Sequence, residues 1–469
     1  MIYSDNDTIA AVSTPAGSGG IAIIRLSGQD AFSVADKIIC GSKSGVLSAF
    51  VTEMGDHTIA HGFIFDPDSR SADGRAELID ECLVSKMAAP KTYTTENIVE
   101  INSHGGYSVV NKTLELLLKA GARAAEPGEF TKRAFLGGRI DLSSAEAVMD
   151  VISAKTDNSR RAAVSGLSGR IGREISDICA ALTGAMAGID VSIEYPEYEF
   201  DEAVGSDALT VLDERLRQLK KLSSTYSQGK IAKEGIRMVL AGSPNAGKST
   251  LMNLFCGTDR SIVTDVPGTT RDLIEEQLQL FGFPVTITDT AGLRSTADIV
   301  EKIGVDRAKD AAGGADLLLY VIDADSPSFP EATEGPAYGK IIYVINKTDL
   351  RSDVSSIVDQ LPEGAAVAAV SALTGEGVEE LFDQIKGMFL LGSFDFTNET
   401  VITSKRHKQL IDEACSLLEL SLESSKKGMP LDLVAEDLRL ATEKLCEILG
   451  KNISDEVIDS IFQRFCVGK

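Results

Sequence analysis

Apolar and polar positions alternate along this chain in three different rhythms. Between residues 230 and 391, strand-length runs rich in β-branched residues recur: Arg237-Met238-Val239-Leu240-Ala241, Val285-Thr286-Ile287-Thr288, Ile341-Ile342-Tyr343-Val344-Ile345 and Val367-Ala368-Ala369-Val370. Polar loops and helical stretches separate them, which predicts a doubly wound α/β domain with its ligand at the carboxyl ends of the strands. Before residue 120 the strands are short and divided by turns: Ile21–Leu26, His61–Phe65 and Ile98–Ile101, then a helical run Val109–Ala120. That order predicts an α+β domain. Residues 143 to about 229 and 400 to 469 carry helical periodicity instead. Ser143 with Glu146 reads as a capping box opening a helix Ala145–Ala154, and Leu431, Val434, Leu438, Ala441, Leu445 and Ile448 recur at spacings of three and four. Neither helical stretch is self-sufficient, so the simplest arrangement is one all-α domain, split in sequence, with the α/β domain inserted into it. The predicted division is an α+β domain at 1–121, a discontinuous helical domain at 122–229 and 392–469, and an α/β domain at 230–391. Linkers are expected at Gln228-Gly229-Lys230 and Leu391-Gly392-Ser393, and Tyr195-Pro196-Glu197-Tyr198-Glu199-Phe200 reads as an acidic helix connection.

Length and charge narrow the possibilities. A chain of 469 residues suits about three domains. A net charge of −24 argues against this protein alone gripping RNA, because phosphate binding needs clustered lysine and arginine. The first residues lack a charged-then-apolar leader and no uninterrupted 18-residue apolar run occurs, so a cytoplasmic location without a membrane is expected. Seven cysteines (Cys40, Cys82, Cys179, Cys256, Cys415, Cys446, Cys466) and four scattered histidines lack the spacing of a structural zinc site.

The candidate chemistry begins at Gly242-Ser243-Pro244-Asn245-Ala246-Gly247-Lys248-Ser249, followed by Thr250. Glycine, four residues, then glycine-lysine-serine after a strand is a phosphate loop. Its glycines let backbone N–H groups turn inward around phosphates, Lys248 adds a cation, and the Ser249 hydroxyl can ligate magnesium. Asp289-Thr290-Ala291-Gly292 follows a strand, placing Asp289 toward the magnesium shell and the Gly292 N–H toward a γ-phosphate. Asn346-Lys347-Thr348-Asp349 supplies a carboxylate, Asp349, that can accept from guanine's ring N–H and exocyclic amine. Adenine has no matching donors, and a buried carboxylate left unpaired costs about 1–3 kcal/mol. Ser371-Ala372-Leu373 would place backbone donors near the guanine oxygen. The four segments together predict a GTP site.

In small signalling GTPases a glutamine after the last glycine of the Asp-x-x-Gly segment orients the attacking water. Here that residue is Leu293, which cannot do so. Glu301, in Ile299-Val300-Glu301-Lys302-Ile303-Gly304, is the candidate for that task; the alternative is a solvated helix face. Asn245 likewise has a plain alternative, since asparagine in a turn often bonds its own backbone.

These residues together resemble the MnmE (TrmE) family of tRNA-modifying GTPases over essentially the whole chain. The matching motifs are Gly242 to Ser249, the switch segment Thr264-Asp265-Val266-Pro267-Gly268-Thr269-Thr270-Arg271-Asp272, Asp289 to Arg294 with Val300 to Gly304, and the ending Phe465-Cys466-Val467-Gly468-Lys469. The resemblance implies a P-loop GTPase domain of Ras-like fold in which a potassium ion stands where other GTPases place an arginine finger. Asn245, Thr264, Val266 and Thr269 would ligate it, Thr270 would join Ser249 at magnesium, and Glu301 would orient the water. It further implies that the N-terminal domain dimerises and binds a tetrahydrofolate derivative, 5-formyl- or 5,10-methylene-tetrahydrofolate, through Arg25, Glu100, Arg139 and Lys469. The family more usually has lysine at the Arg139 position, and the two cations differ in geometry. Cys466 is a candidate reactive thiol; a small buried hydrophobe is the commoner fate of cysteine. The implied partners are a second copy, a GidA flavoprotein, and tRNA held mainly by that flavoprotein. The implied outcome is addition of a carboxymethylaminomethyl or aminomethyl group at C5 of wobble uridine 34. Two alternatives remain: a ribosome-assembly GTPase of the Era or EngA kind, and a low-turnover regulatory switch.

Overall fold

The structure, a computed structural model, describes residues 7–44, 46–70, 76–194, 202–258, 274–289, 315–329, 340–391 and 394–469. By its internal contacts the chain divides into two compact units, 1–149 with 446–469, and 150–445.

The first unit is built on a seven-stranded sheet. Its strands are β1 (Ile9–Val12), β2 (Gly19–Ser27), β3 (Ile39–Cys40), β4 (Thr58–Arg70), β5 (Ala76–Met87), β6 (Ile98–Gly105) and β7 (Arg123–Ala124), in the order β3-β4-β5-β6-β2-β1-β7. All pairs are antiparallel except β1 with β7. The period of two along β2 sends Ile24 and Leu26 into a core with Ile64, Val84, Val99 and Ile101, closed by Leu116 and Leu117 of the helix Tyr107–Lys119. Arg25, between them, faces the other side. The end of the chain belongs to this unit: Ile458, Phe462 and Phe465 pack with Leu142 and Ala145, and Val467 bridges Pro127.

The second unit joins helices to a six-stranded sheet. Here β8 (Ile236–Gly242), β9 (Ile274–Leu280), β10 (Phe283–Asp289), β11 (Leu317–Asp323), β12 (Ile341–Asn346) and β13 (Ala366–Ala369) lie in the order β13-β12-β11-β8-β10-β9. Only β9 runs antiparallel; the remaining pairs are parallel. The inner parallel strands are buried along most of their length (β11 is buried at every position but Tyr320), as a sheet covered on both faces requires, while the edge strand β13 buries only Ala368. Four predicted strands coincide with β8, β10, β12 and β13 to within two residues at either end.

Two local expectations are corrected. The helix expected at Ala145–Ala154 spans Leu142–Ser153, and its start is held by Asp141, whose Oδ1 accepts from the Ser144 N–H at 2.7 Å and the Ser143 hydroxyl at 2.7 Å. The cap therefore lies two residues before the predicted box, because an aspartate oxygen reaches the first-turn N–H groups from there. Gln228-Gly229-Lys230 is no linker; it lies inside the helix Tyr226–Glu234. Gly229 serves close packing, since a Cβ on it would sit 2.1 Å from the Ile402 carbonyl oxygen. The helix Arg170–Glu194 is long and apolar enough, by length and composition, to cross a membrane, with mean hydropathy 1.3 over 18 residues. Its charges are sparse rather than absent, and Ile171, Ile175, Ile178, Leu182, Ala185 and Ile189 are buried on one stripe. The predicted connection 195–200 and residues 392–393 of the second linker lie outside the described residues.

Candidate nucleotide and folate sites

The phosphate loop leaves β8 at Gly242 and enters the helix Lys248–Thr258. Gly242 has φ +136°, and a Cβ there would lie 2.1 Å from the Val321 carbonyl oxygen, so only glycine fits where the loop crosses β11. Asn245 at φ +65° and Gly247 at φ +91° continue the left-handed path that turns N–H groups inward. Ala246 is fully buried, while Asn245, Ser249 and Thr250 are exposed. The Lys248 ammonium is buried and donates to the carbonyls of Gly242 at 2.9 Å and Ser243 at 2.8 Å, which ties the loop to the start of its helix.

At the same carboxyl edge of the sheet, beyond β12 and β13, the base-reading segments meet. Asn346, 2% exposed, joins three loops through one carboxamide: Nδ2 donates to the Ala246 carbonyl at 2.8 Å, and Oδ1 accepts from the Ala372 N–H at 2.9 Å. Gly247 is needed for this, because a Cβ on it would fall 2.1 Å from Asn346 Nδ2. Asp349 is exposed, and its Oδ1 accepts from the buried Ser371 hydroxyl at 2.6 Å, which orients the carboxylate. The Ser371 loop is itself closed by Ser371 N–H to Glu376 O at 2.9 Å and Gly375 N–H to Ser371 O at 2.8 Å. Lys347 has φ +68°, and its ammonium meets Asp323 Oδ2 at 2.6 Å. Asp323, at the end of β11, was not singled out from the sequence; the available signal was an acidic residue at the carboxyl end of a parallel strand.

Hard cations need oxygen ligands, and two exposed side chains of the phosphate loop carry oxygens that could serve, the Ser249 hydroxyl and the Asn245 amide. Asp289 closes β10 opposite Leu240 of β8. Thr264, Asp265, Val266, Pro267, Gly268, Thr269, Thr270, Thr290, Ala291, Gly292 and Glu301 lie outside the described residues.

In the first unit the antiparallel register sets Arg25 directly opposite Glu100. Arg25 Nε donates to Glu100 Oε1 at 2.8 Å and Nη2 lies 2.7 Å from the same oxygen. Arg25 also lies 5.7 Å from the centre of the Phe130 ring, and its Nη1 donates to the Gly468 carbonyl at 3.4 Å. That carbonyl accepts from the Ser13 hydroxyl at 3.1 Å as well. Gly468, at φ +90°, has no room for a side chain: a Cβ would come within 2.4 Å of the Val12 carbonyl oxygen. The terminal segment carrying Lys469 is thereby laid against β1 and β2, next to Arg25 and Glu100. Arg139 stands on Tyr93, 4.9 Å from its ring centre, and donates to the Tyr93 carbonyl at 3.1 Å. Tyr93 and Phe130 share one small apolar cluster with Ile9 and Ala11, so the Arg25 and Arg139 positions rest on a common support. Tyr93 was not anticipated from the sequence. Cys466 is exposed, and its carbonyl accepts from the Gly128 N–H at 3.3 Å.

Two family models match this chain. One, described as the MnmE helical domain, covers residues 142–466, and the other, the GTP-binding protein TrmE N-terminus, covers residues 8–139. The chain belongs to the MnmE family. The tRNA modification GTPase MnmE of Acetivibrio thermocellus is 43% identical over 467 residues, 99% of each chain. That of Geobacillus thermodenitrificans is 44% identical over 471 residues, again 99% of each. Among solved structures, the G domain of the T. maritima FeoB iron transporter aligns at 28% identity with a TM-score of 0.25, covering 33% of this chain and 98% of that one. Membership of the MnmE family fixes the multidomain class: an N-terminal TrmE domain, a helical domain and a P-loop GTPase domain.

Proposed function

We propose that this member of the MnmE family, a GTP hydrolase acting in tRNA modification, is stimulated by potassium. Working in the cytoplasm as a homodimer with a GidA-type flavoprotein, it drives folate-dependent addition of a carboxymethylaminomethyl or aminomethyl group at C5 of wobble uridine 34. The observation that carries the GTP reading is the Asn346 carboxamide, which joins the phosphate loop to the Ala372 loop while Ser371 aims Asp349. An exposed carboxylate held in one orientation suits two adjacent N–H donors of guanine and leaves adenine unpaired. Backbone N–H groups of residues 245–249 and the Lys248 ammonium then face the phosphates, the lysine exchanging loop carbonyls for phosphate oxygens. Magnesium on Ser249 and Thr270, with potassium on Asn245, Thr264, Val266 and Thr269, would neutralise charge on the β and γ phosphates. Glu301 holds the attacking water. The folate reading is supported by the grouping of Arg25, Glu100 and the Gly468–Lys469 terminus, with Arg139 on the same support; cations there suit a glutamate tail and a carboxylate suits pterin N–H donors. The acidic balance of the chain favours a flavoprotein partner as the holder of tRNA.

The test is GTP turnover by the purified chain in potassium against sodium at equal ionic strength, with Asn245→Ala and Glu301→Ala. Turnover is expected only in potassium. Glu301→Ala is expected to lower it about 10²–10⁴-fold, the usual range for a lost water-positioning group. Equal rates in the two salts would overturn the ion-assisted reading, and a Glu301 variant with normal turnover would remove that residue from it.

A further inference from the structure

Lys347 belongs to the expected GTP-binding set, and the structure gives its charge a partner that the sequence did not reveal. Lys347 lies between Asn346, which ties the loops together, and Asp349, which would read guanine. Its backbone is left-handed at φ +68°, a conformation that costs a residue with a side chain about 1 kcal/mol or more. Such a residue persists only where its surroundings hold it. The holder is visible: Asp323, 6% exposed, meets the Lys347 ammonium with Oδ2 at 2.6 Å and accepts the Asp325 N–H with Oδ1 at 3.0 Å. Burial opposes the charge on Asp323, but the Lys347 bond and the Asp325 N–H outweigh it and hold the carboxyl below the usual aspartate range. The sheet fixes the distance, since Asp323 and Asn346 are register partners on the parallel strands β11 and β12, and the Ala324 N–H bonds the Asn346 carbonyl at 2.9 Å.

Resting on the reading of this site as a guanine nucleotide site, we propose that Asp323 is a positioning residue for guanine selectivity, acting through Lys347 on Asp349. By anchoring the ammonium, it keeps Lys347 in its left-handed conformation and sets the direction in which the chain presents Asp349 two residues later. It also holds the lysine charge at the base end, leaving the phosphates to Lys248. Without the anchor the lysine relaxes, Asp349 loses its alignment with Ser371, and the carboxylate no longer meets both guanine donors squarely. The contact that reads the exocyclic amine suffers most.

Inosine diphosphate lacks that amine, so the GDP to IDP affinity ratio reports the alignment directly. Affinities of the full chain are measured by displacement of a fluorescent GDP analogue, for the wild type, Asp323→Asn, Lys347→Met and the double variant. Asp323→Asn is expected to weaken GDP about ten-fold and IDP much less, narrowing the ratio, and the double variant should be no worse than the weaker single one, as for two residues acting through one contact. A general loss of packing would weaken both nucleotides alike and add to the Lys347 effect; either result overturns the inference. So does an unchanged ratio in Asp323→Asn. If Asp323→Asn does not fold, Asp323→Glu, which keeps the charge but displaces it by one methylene, is read the same way. A wild-type chain that does not prefer GDP to IDP and ADP would instead overturn the guanine-site reading itself, a different failure.

Discussion

Cysteine shows most plainly how environment rather than residue type sets chemistry in this chain. Cys82 and Cys415 are buried, and desolvation, with nearby Asp80 and Asp412 adding to it, pushes their thiols up to about 12 and about 11. Such thiols hold almost no thiolate at neutral pH and are chemically quiet. Cys40 and Cys179 are also buried, whereas Cys466 is exposed two residues from Gly468, which receives Arg25. A small maleimide on the native protein at neutral pH should therefore modify Cys466 before Cys40, Cys82, Cys179 or Cys415, as peptide mapping would show. Early labelling of Cys82 or Cys415 would mean that the core around them opens readily. Asn346 makes the complementary point. One buried carboxamide satisfies both its donor and its acceptor on two other loops, so a single residue sets the spacing of the whole base-reading end.

Among elements, the helix Tyr226–Glu234 sets two opposing effects against each other at Gly229. Replacing a helical glycine by alanine favours the helix by about 1 kcal/mol. The added methyl would, however, meet the Ile402 carbonyl at 2.1 Å and Val401 Cγ2 at 2.8 Å, and backbone cannot swing aside as a flexible side chain can. Overpacking of this kind costs about 1–3 kcal/mol and outweighs the propensity gain. Gly229→Ala should therefore lower the urea midpoint of the purified chain; a raised midpoint would mean that the helix and the 401–402 segment are not in contact. The close approach has further support from the Ile402 N–H, which bonds the Thr225 hydroxyl at 3.1 Å. The same reasoning explains Asp141. A Ser-x-x-Glu pattern signals a cap, but an aspartate two residues earlier can satisfy an orphan N–H of the same first turn, and local sequence does not decide between them.

For the molecule as a whole, the unit 1–149 with 446–469 is held by ion pairs between residues far apart in sequence. Asp66 pairs with Lys112 at 2.8 Å, and that bond with the Asp68 and Ser69 N–H groups holds its carboxyl below the usual range. Asp7 is opposed by burial, yet Arg123 and Arg133 hold it low as well. A carboxyl depressed in the folded state contributes stability that is fully present above the unfolded value of about 3.9 and is lost as pH falls through the lower folded value. The thermal midpoint of this unit should thus fall below about pH 4, with Asp66→Asn flattening the acid limb. An acid limb of the same slope in that variant would assign the loss to other carboxylates. What the sequence by itself determined is the local order of things: glycines at 242 and 247 where a phosphate loop needs left-handed turns, apolar runs of strand length, and helical periodicity from 431 to 448. These depend on neighbours within a few residues, which is why spacing reveals them. Only the tertiary structure decided which distant groups meet. Arg25 faces Glu100, 75 positions away, through antiparallel register; Asp323 reaches Lys347, 24 positions on, because two parallel strands end side by side; and the helix at 229 takes glycine because the Ile402 backbone leaves no room for a side chain there. Such pairings rest on strand register and close packing, which are fixed when the whole chain folds and leave no mark in the local run of residues.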